Sequence, residues 1–459
     1  MTPPVTGCHS GQTDRFSGRR PGTGGGMPDQ MPSASLLDAS RAIGDVLLPV
    51  VARGAILRRP RLMHLAERLQ VDERALREVR RLRKRYDGGP VPIRIAGRTV
   101  ALVTEPEDVH RVLSMTPTPF SAATTEKVGA LRHFQPHAVL ASDPPDRWPR
   151  RKLNEEALQT SQPVHRHAER MQAVVHEEMD RLQETLGWNE FREVWSQLVR
   201  RIVLGDAARD DTTVTDELDK LRAAANWAEF APRQHAVRRR FAQAISRYVD
   251  AAEPGSLVAM LPRKDGDADP AGQVPHWLFA YDAAGIAVWR ALAVLATRPD
   301  LVERITTEAR HPESSPLLAV AGGAVQESLR LWPTTLVVLR ESRTDTEWRG
   351  HTLPAGTEFA IVSSVFHRDD EALEFADRFE PDVWLDGRAE GDWPIIPFSE
   401  GPARCPGENV VLLTTSSAVS HLLDRNTLDL DPQTRHLLAG PMPKTFDHTH
   451  PRLAFWRKA

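Results

Sequence analysis

The chain has 459 residues, a hydrophobic fraction of 41% and a formal net charge of −3. Such a length can bury a large core, and the near-neutral charge argues against nucleic-acid binding. There are only two cysteines, Cys8 and Cys405, which excludes a disulfide framework and favours a reducing compartment.

The first 33 residues are rich in Gly, Pro, Ser and Thr. We therefore expect a disordered tail over 1–33 and one large domain over 34–459. The start of the chain lacks the apolar stretch of a secretory signal. The most apolar early segment, 45–57, is too short to span a bilayer and contains Arg53. The sequence thus predicts a cytoplasmic protein without a membrane anchor.

Hydrophobic periodicity predicts a mainly α chain with small β-sheets. A surface helix is expected at 73–86, a hairpin at 92–104 and a helix at 106–114, followed by a proline-rich irregular segment at 115–140. Long helices are expected at 148–159, 163–187, 189–204, 214–227, 232–250 and 276–297. A second strand-rich part covers 335–364, and the last long helix follows Cys405.

Cys405 lies in the run Phe398-Ser399-Glu400-Gly401-Pro402-Ala403-Arg404-Cys405-Pro406-Gly407, just before an apolar helical stretch. The positive end of a helix dipole and unpaired backbone N–H groups stabilise a thiolate there. Pro406 suits the first helical position. A heme iron with an axial thiolate needs this environment. A lone loop cysteine is, however, more often a small buried hydrophobe, so a second signature is required.

The second signature is Glu327-Ser328-Leu329-Arg330, whose acid and base share one helix face. The run around Cys405 resembles the heme-binding loop of the cytochrome P450 family, with Phe398, Gly401 and Gly407 at the family's spacing. Glu327 and Arg330 resemble the pair that braces the proximal side of the heme in that family. The resemblance covers roughly 75–459. It implies a single, mainly α domain that holds heme b between a central helix and the Cys405 loop.

The central helix departs from the family's pattern. In the family it carries a small residue, Gly, any residue, an acid and Thr, and these positions align here with 279–283. Asp282 holds the acid position, whereas Ala283 stands where the family has the alcohol. Alanine can neither donate nor accept a proton. Three alternatives stay open: a substrate group completes the proton relay, hydrogen peroxide is the oxidant, or the reaction is not oxygen insertion. We favour the first.

Arginines are the expected partners of the heme propionates. The segment 143–152 resembles the family's propionate-binding helix, and its two matching positions are Arg147 and Arg151, with Trp148 as another candidate. Arg340 matches a further propionate-binding arginine of the family.

Two positions depart from the family's heme-binding pattern. Ala403 stands where the family often has Arg or His, which leaves Arg404 to reach a propionate or a partner. Val383 stands where the family supplies Arg or His to Glu327 and Arg330. Either another arginine substitutes there, or the pair stands alone.

The resemblance implies a heme-thiolate monooxygenase that uses O2 and electrons from a ferredoxin and its reductase, because the chain shows no dinucleotide fingerprint. The expected substrate is a medium-to-large, partly apolar small molecule of secondary metabolism, free or carrier-bound. Its pocket residues would be Phe120, Phe279, Ala284 and Val337. The protein is expected to be a monomer. Alternatives are a peroxide-using or atypical heme enzyme, performing coupling or dehydration, and a non-catalytic heme- or ligand-binding protein.

Overall fold

The computed structural model describes residues 30–262, 268–311 and 315–458. The expected tail therefore lies, up to residue 29, outside the described residues, as does Cys8. Near the first described residue, the N–H of Met31 donates to the carbonyl of Thr352 at 3.0 Å.

Helices make up most of the described chain, in agreement with the sequence. In chain order they are α1 (Leu36–Ala42), α2 (Leu48–Arg53), α3 (Pro60–Leu69), α4 (Val71–Arg85), α5 (Pro106–Ser114), α6 (Thr125–Leu131), α7 (Arg147–Leu158), α8 (Ala168–Met179), α9 (Trp188–Leu204), α10 (Thr212–Ala225), α11 (His235–Ala251), α12 (Pro270–Leu295), α13 (Pro299–Arg310), α14 (Ala319–Leu331), α15 (Ser363–His367), α16 (Glu408–Arg425) and α17 (Pro432–Leu437). A π-helical segment, Ile43–Leu47, joins α1 to α2.

In the part of the chain that the structure describes, ten short strands form three small sheets. They are β1 (Val91–Ile95), β2 (Arg98–Leu102), β3 (Phe120–Ser121), β4 (Thr185–Leu186), β5 (Val337–Ser342), β6 (Thr346–Trp348), β7 (His351–Leu353), β8 (Glu358–Val362), β9 (Asn426–Leu430) and β10 (Leu453–Arg457). The largest sheet has the order β1-β2-β8-β5-β3, and only its β2–β8 pair is parallel. The other sheets are β4-β10-β9 and β6-β7. Small sheets beside a helical body are the architecture that the sequence predicts.

Three predicted boundaries need correction. The helix expected at 163–187 is only α8, because Leu186 leaves the helical path to pair with Leu453 of β10. The segment 115–140 is not wholly irregular: it contains β3 and α6, and the side chain of Thr124 caps α6 by accepting from the N–H of Lys127. The central helix starts at Pro270, six residues before the predicted start, where Asp269 provides the cap.

Helix α12 runs through the core of the molecule, and every residue from Ala284 to Leu295 is buried. Its backbone comes very close to α9, where Trp195 donates to the carbonyl of Tyr281 at 2.7 Å. A Cβ on Gly285 would meet the Trp195 ring at 2.7 Å, so glycine permits this approach. Within the described residues α12 is the one helix long and apolar enough to cross a membrane, yet 78% of its most apolar window is buried inside the protein.

Candidate functional site

Backbone contacts hold the loop that carries Cys405. The N–H of Cys405 donates to the carbonyl of Phe398 at 2.9 Å. Gly401 has a φ of +66°, and a Cβ there would collide with the carbonyl oxygen of Leu113, so this position requires glycine. Gly407 is the N-cap of α16. The loop therefore places the sulfur at a helix N-terminus, as the sequence predicts.

The surroundings of Cys405 act on the pKa of its thiol in opposite directions. Dense packing raises the pKa of the thiol, although the Gly407 N–H that donates to it and the charges of Arg151 and Arg404 act in the opposite direction. The free thiol is therefore protonated at neutral pH. A bound cation would displace that proton, because the thiolate is the form that binds metals.

Two buried arginines converge near the strand β5. Arg147 and Arg340 are 2% and 3% exposed. Arg147 donates to the carbonyl of Val139 at 2.8 Å, and Arg340 Nε donates to the hydroxyl of Thr116 at 2.9 Å. Burial and the charge of Arg147 lower the pKa of Arg340 to about 10. Neither guanidinium forms an ion pair with a carboxylate in the described part of the chain.

Lys127 adds a third cation to this pair, and the sequence analysis did not identify it. Its ammonium donates to the carbonyl of Ala122 at 2.7 Å. Burial and the charge of Arg340 lower the pKa of Lys127 to about 7. The available signal was a lysine beside the apolar run Val128-Gly129-Ala130-Leu131. It was missed because 115–140 was interpreted as irregular.

The residues present fit heme b. Buried charges without counter-ions are costly, and the two propionates of heme b would neutralise Arg147 and Arg340. Cys405 would supply the thiolate that holds the iron. Donor chemistry and buried positive charge thus agree with the group that the sequence predicts, and the assignment of each residue to that group stays a prediction.

Arg151, Arg404 and Trp148 lie in different surroundings from the buried arginines. Arg151 forms an ion pair with Glu155 at 2.6 Å and donates to the backbone carbonyl of Arg404 at 2.7 Å. Arg404 itself pairs with Glu408 at 2.7 Å, and Trp148 is 51% exposed. Arg151 therefore braces the Cys405 loop directly, while the Arg404 guanidinium is paired on a half-exposed surface.

The pair of Glu327 and Arg330 is completely buried. Two parallel hydrogen bonds of 2.8 and 2.6 Å join their side chains. Arg330 also donates to the carbonyls of His367 and Phe375. The question raised by Val383 is answered by its neighbour, because the indole N–H of Trp384 donates to Glu327 at 3.0 Å. A neutral donor thus takes the place of the family's basic residue.

Asp282 on α12 is tied to two arginines. Arg222 approaches its carboxylate at 2.7 Å and Arg192 at 3.5 Å. Burial alone would raise the pKa of Asp282, but these charges lower it below its ordinary value. The carboxylate is therefore ionised at neutral pH. Ala283 follows it, partly buried and without a group that could move a proton.

The four predicted pocket residues do not share one environment. Phe279 is partly buried, with the ring of Phe134 at 6.0 Å, and Val337 is partly buried at the start of β5, while Ala284 is buried. Phe120 lies in the sheet core, where its side chain is fully buried, 5.1 Å from the ring of Phe359. Its assignment to the pocket stays a prediction.

Comparisons with known proteins relate this chain to one protein family. The Cytochrome P450 family model matches residues 281–446. Cytochrome P450 4d2 of Drosophila melanogaster is 32% identical over 189 residues, 37% of each chain. The cyclooctat-9-en-7-ol 5-monooxygenase of Streptomyces melanosporofaciens is 30% identical over 151 residues, 31% of this chain and 33% of that one. The matched part thus spans about a third of the length of these relatives.

The crystal structure of the cytochrome P450DA heme domain has the same fold. It superposes with a TM-score of 0.66 at 15% identity, over 85% of this chain and 93% of that one. The motifs, the family-model match over 281–446 and the fold together support a member of the cytochrome P450 family. Proteins of this family bind heme b through its iron.

Proposed function

We propose that the protein is a heme-thiolate monooxygenase acting on a medium-to-large, partly apolar small molecule. The observation that carries the proposal is the pair of buried, uncompensated arginines, Arg147 and Arg340, in a fold whose only described cysteine, Cys405, lies at a helix N-terminus. When bound, a thiolate-ligated heme supplies the oxygen-activating chemistry.

The chain's own residues have separate tasks in this proposal. Cys405 holds the iron, Arg147 and Arg340 hold the propionates, and Lys127 adds positive charge beside them. Glu327 and Arg330 keep the surrounding backbone in place through the carbonyls that Arg330 binds. Phe398, Gly401 and Gly407 shape the loop around the sulfur, and Arg151 secures it through the carbonyl of Arg404.

Proton delivery must follow a route without an alcohol on α12. Asp282 is ionised and held by Arg222 and Arg192, so its carboxylate can accept a hydrogen bond but has no proton of its own to donate. A hydroxyl of the substrate, or water ordered by Asp282, takes the role that Ala283 cannot perform. This favours a substrate that carries a polar group close to the oxidised carbon.

Electrons come from a ferredoxin and its reductase, and the protein works as a cytoplasmic monomer. The Streptomyces relative is by its name a monooxygenase of cyclooctat-9-en-7-ol, an alcohol. A bacterial role in secondary metabolism and a hydroxylated, largely apolar substrate are consistent with that relative.

Spectra of the purified protein test the proposal. We expect a Soret band whose ferrous carbon monoxide complex has the position typical of thiolate ligation, and we expect that signature to disappear in Cys405→Ser. Ser399→Ala, a change in the same loop, should retain it. A wild-type protein that binds no heme, or a Cys405→Ser variant with an unchanged spectrum, would refute the proposal.

A peroxide-driven reaction is the second candidate, and Ala283 is the observation that favours it. Hydrogen peroxide brings its own protons, so an alcohol on α12 is not needed. Measuring product formation under two conditions distinguishes the candidates. Turnover with hydrogen peroxide alone supports the peroxide-driven reaction, whereas turnover that requires NADPH, ferredoxin and reductase supports the monooxygenase. Ala283→Thr should improve product yield per NADPH only if the missing alcohol limits the reductive route.

A further inference from the structure

A second cluster of ligand-type side chains lies where α3 meets the segment that precedes β10. His64 belongs to α3, while Asp447 and His450 lie just before β10. The atoms through which these three residues could bind a metal all lie within 4.8 Å of one another. The two imidazole rings meet edge to face, with centroids 4.4 Å apart. Segments from the two ends of the domain thus bring three potential ligands to one point.

Asp447 contributes a buried negative charge that forms no ion pair with Lys or Arg within the described residues. Its side chain is fully buried, and its carboxylate accepts from the backbone N–H and the hydroxyl of Thr449 at 3.0 and 2.9 Å. The nearest basic side-chain atom paired with this carboxylate is Nδ1 of His448, at 4.0 Å. The charge of Asp447 acts on the buried Arg290, but the Arg290 guanidinium donates its hydrogen bonds to the carbonyls of Trp332 and Phe446. A buried carboxylate in this position is stabilised by a cation.

The two histidines, His450 and His64, differ in their hydrogen bonding. His450 Nδ1 is held by Glu67 Oε2 at 2.7 Å, which leaves Nε2 of His450 for a metal. This carboxylate–histidine arrangement commonly orients metal-binding imidazoles. Glu67 also accepts from the backbone N–H of Asp447 at 2.8 Å, so one carboxylate positions both residues. His64, half-buried, makes no hydrogen bond in the described part of the chain.

We propose that His64, Asp447 and His450 form a zinc site, with Glu67 as the positioning residue and water as the fourth ligand. Two imidazoles and a carboxylate match the ligand preference of Zn²⁺. Tetrahedral coordination needs ligand atoms about 3.4 Å apart, which rotation of the half-buried histidines can achieve. The ion would join α3 to the end of the domain, independently of heme and of catalysis.

The test is calorimetric titration of zinc chloride into the heme-loaded protein after treatment with EDTA. We expect one zinc ion per chain and a rise in melting temperature, since the ion binds the folded state. His64→Ala should abolish this binding, and Glu67→Gln should weaken it by about 10- to 100-fold. His235→Ala removes an exposed histidine of α11 and should leave zinc affinity unchanged.

The result of the zinc titration can be distinguished from a failure of heme binding. His64 is half-buried and makes no hydrogen bond to any of the residues that the structure describes, so His64→Ala should fold, which an unchanged Soret band would verify. Equal zinc affinity and stoichiometry in wild type and His64→Ala would overturn the site, because binding would then come from other histidines. Absence of zinc binding by the wild type would overturn it as well.

Discussion

Arg330 and Glu327 are both fully buried, so their charges are neutralised by each other and by the polar groups around them. Removing one member leaves the other charge buried and unpaired. We predict that Arg330→Leu lowers the free energy of unfolding by about 3–5 kcal/mol, measured by urea denaturation of the heme-loaded protein.

An exposed pair is the matched control for that substitution. Arg304 and Asp382 lie 2.6 Å apart with 44% and 43% of their side chains exposed. Arg304→Leu should cost less than about 1 kcal/mol, because solvent screens the pair. Equal losses in the two variants would show that burial of the Glu327–Arg330 pair has no energetic weight.

The buried side chain of His367 is a second single residue that affects stability, and it is neutral in the folded protein. Its Nε2 accepts the backbone N–H of Ile396 at 3.0 Å, and burial, reinforced by the charge of Arg330, lowers the pKa of His367 to about 3. As pH falls, the unfolded chain binds this proton first. The contribution of His367 to stability is therefore complete above pH 6.5 and decreases from there toward pH 3, by up to about 1.4 kcal/mol per pH unit.

Urea unfolding at several pH values between 7.5 and 5 measures this dependence. His367→Gln keeps a hydrogen-bond acceptor but cannot bind the proton, so its free energy of unfolding should depend less steeply on pH. His235→Gln, at an exposed position, should keep the wild-type slope. Identical slopes for wild type and His367→Gln would exclude His367 as a source of acid instability.

At the scale of elements, the contact between α9 and α12 depends on Gly285. A Cβ at this position would lie 2.7 Å from the Trp195 ring, whose N–H is bound to the carbonyl of Tyr281. We predict that Gly285→Ala lowers the free energy of unfolding by about 1–3 kcal/mol, because the ring must move out of its packed position.

Gly322 of α14 offers the control, since a Cβ there would have an ordinary contact of 3.5 Å with the carbonyl of Leu317. Gly322→Ala should stabilise the protein by up to about 1 kcal/mol, the usual helix gain of alanine over glycine. Thermal unfolding of both variants distinguishes crowding from helix propensity. A stabilising Gly285→Ala would contradict the close packing of α9 on α12.

Elements also show where periodicity is a sufficient guide. Helix α5 has the predicted bounds, because Pro106 and its amphipathic spacing are local signals. Helix α8 is much shorter than predicted, because β10, from the far end of the chain, pairs with β4. Helix α6 was missed because nearby prolines outweighed the Thr124 cap.

At the scale of the whole molecule, the heme-free protein should be destabilised by its own buried cations. Arg340 lies beside Arg147 and Lys127, whose charges repel it. We predict that Arg340→Met lowers heme retention but leaves the melting temperature of the apoprotein unchanged or raises it. Heme transfer to apomyoglobin and thermal unfolding of the two forms measure these effects.

The control for this substitution is Arg304→Met, because Arg304 is exposed and paired with Asp382. It should change neither heme retention nor the melting temperature of the apoprotein. If Arg340→Met instead lowered the melting temperature of the apoprotein and left heme retention intact, Arg340 would be a structural residue without a role at the propionates.

The sequence alone determined the class of fold, because hydrophobic periodicity is a local signal. The resemblance to a family was visible as well, because its motif around Cys405 lies within one short segment. The Glu327-x-x-Arg330 pair was equally visible, since one helical turn brings its members together. Tertiary structure decided which distant residues come into contact. It brings Lys127 close to Arg147 and Arg340, places the Trp384 N–H against Glu327, and packs His64 against His450. It also buries Phe120 in the sheet core. Such contacts depend on how distant segments pack, and spacing along the chain carries no record of that packing.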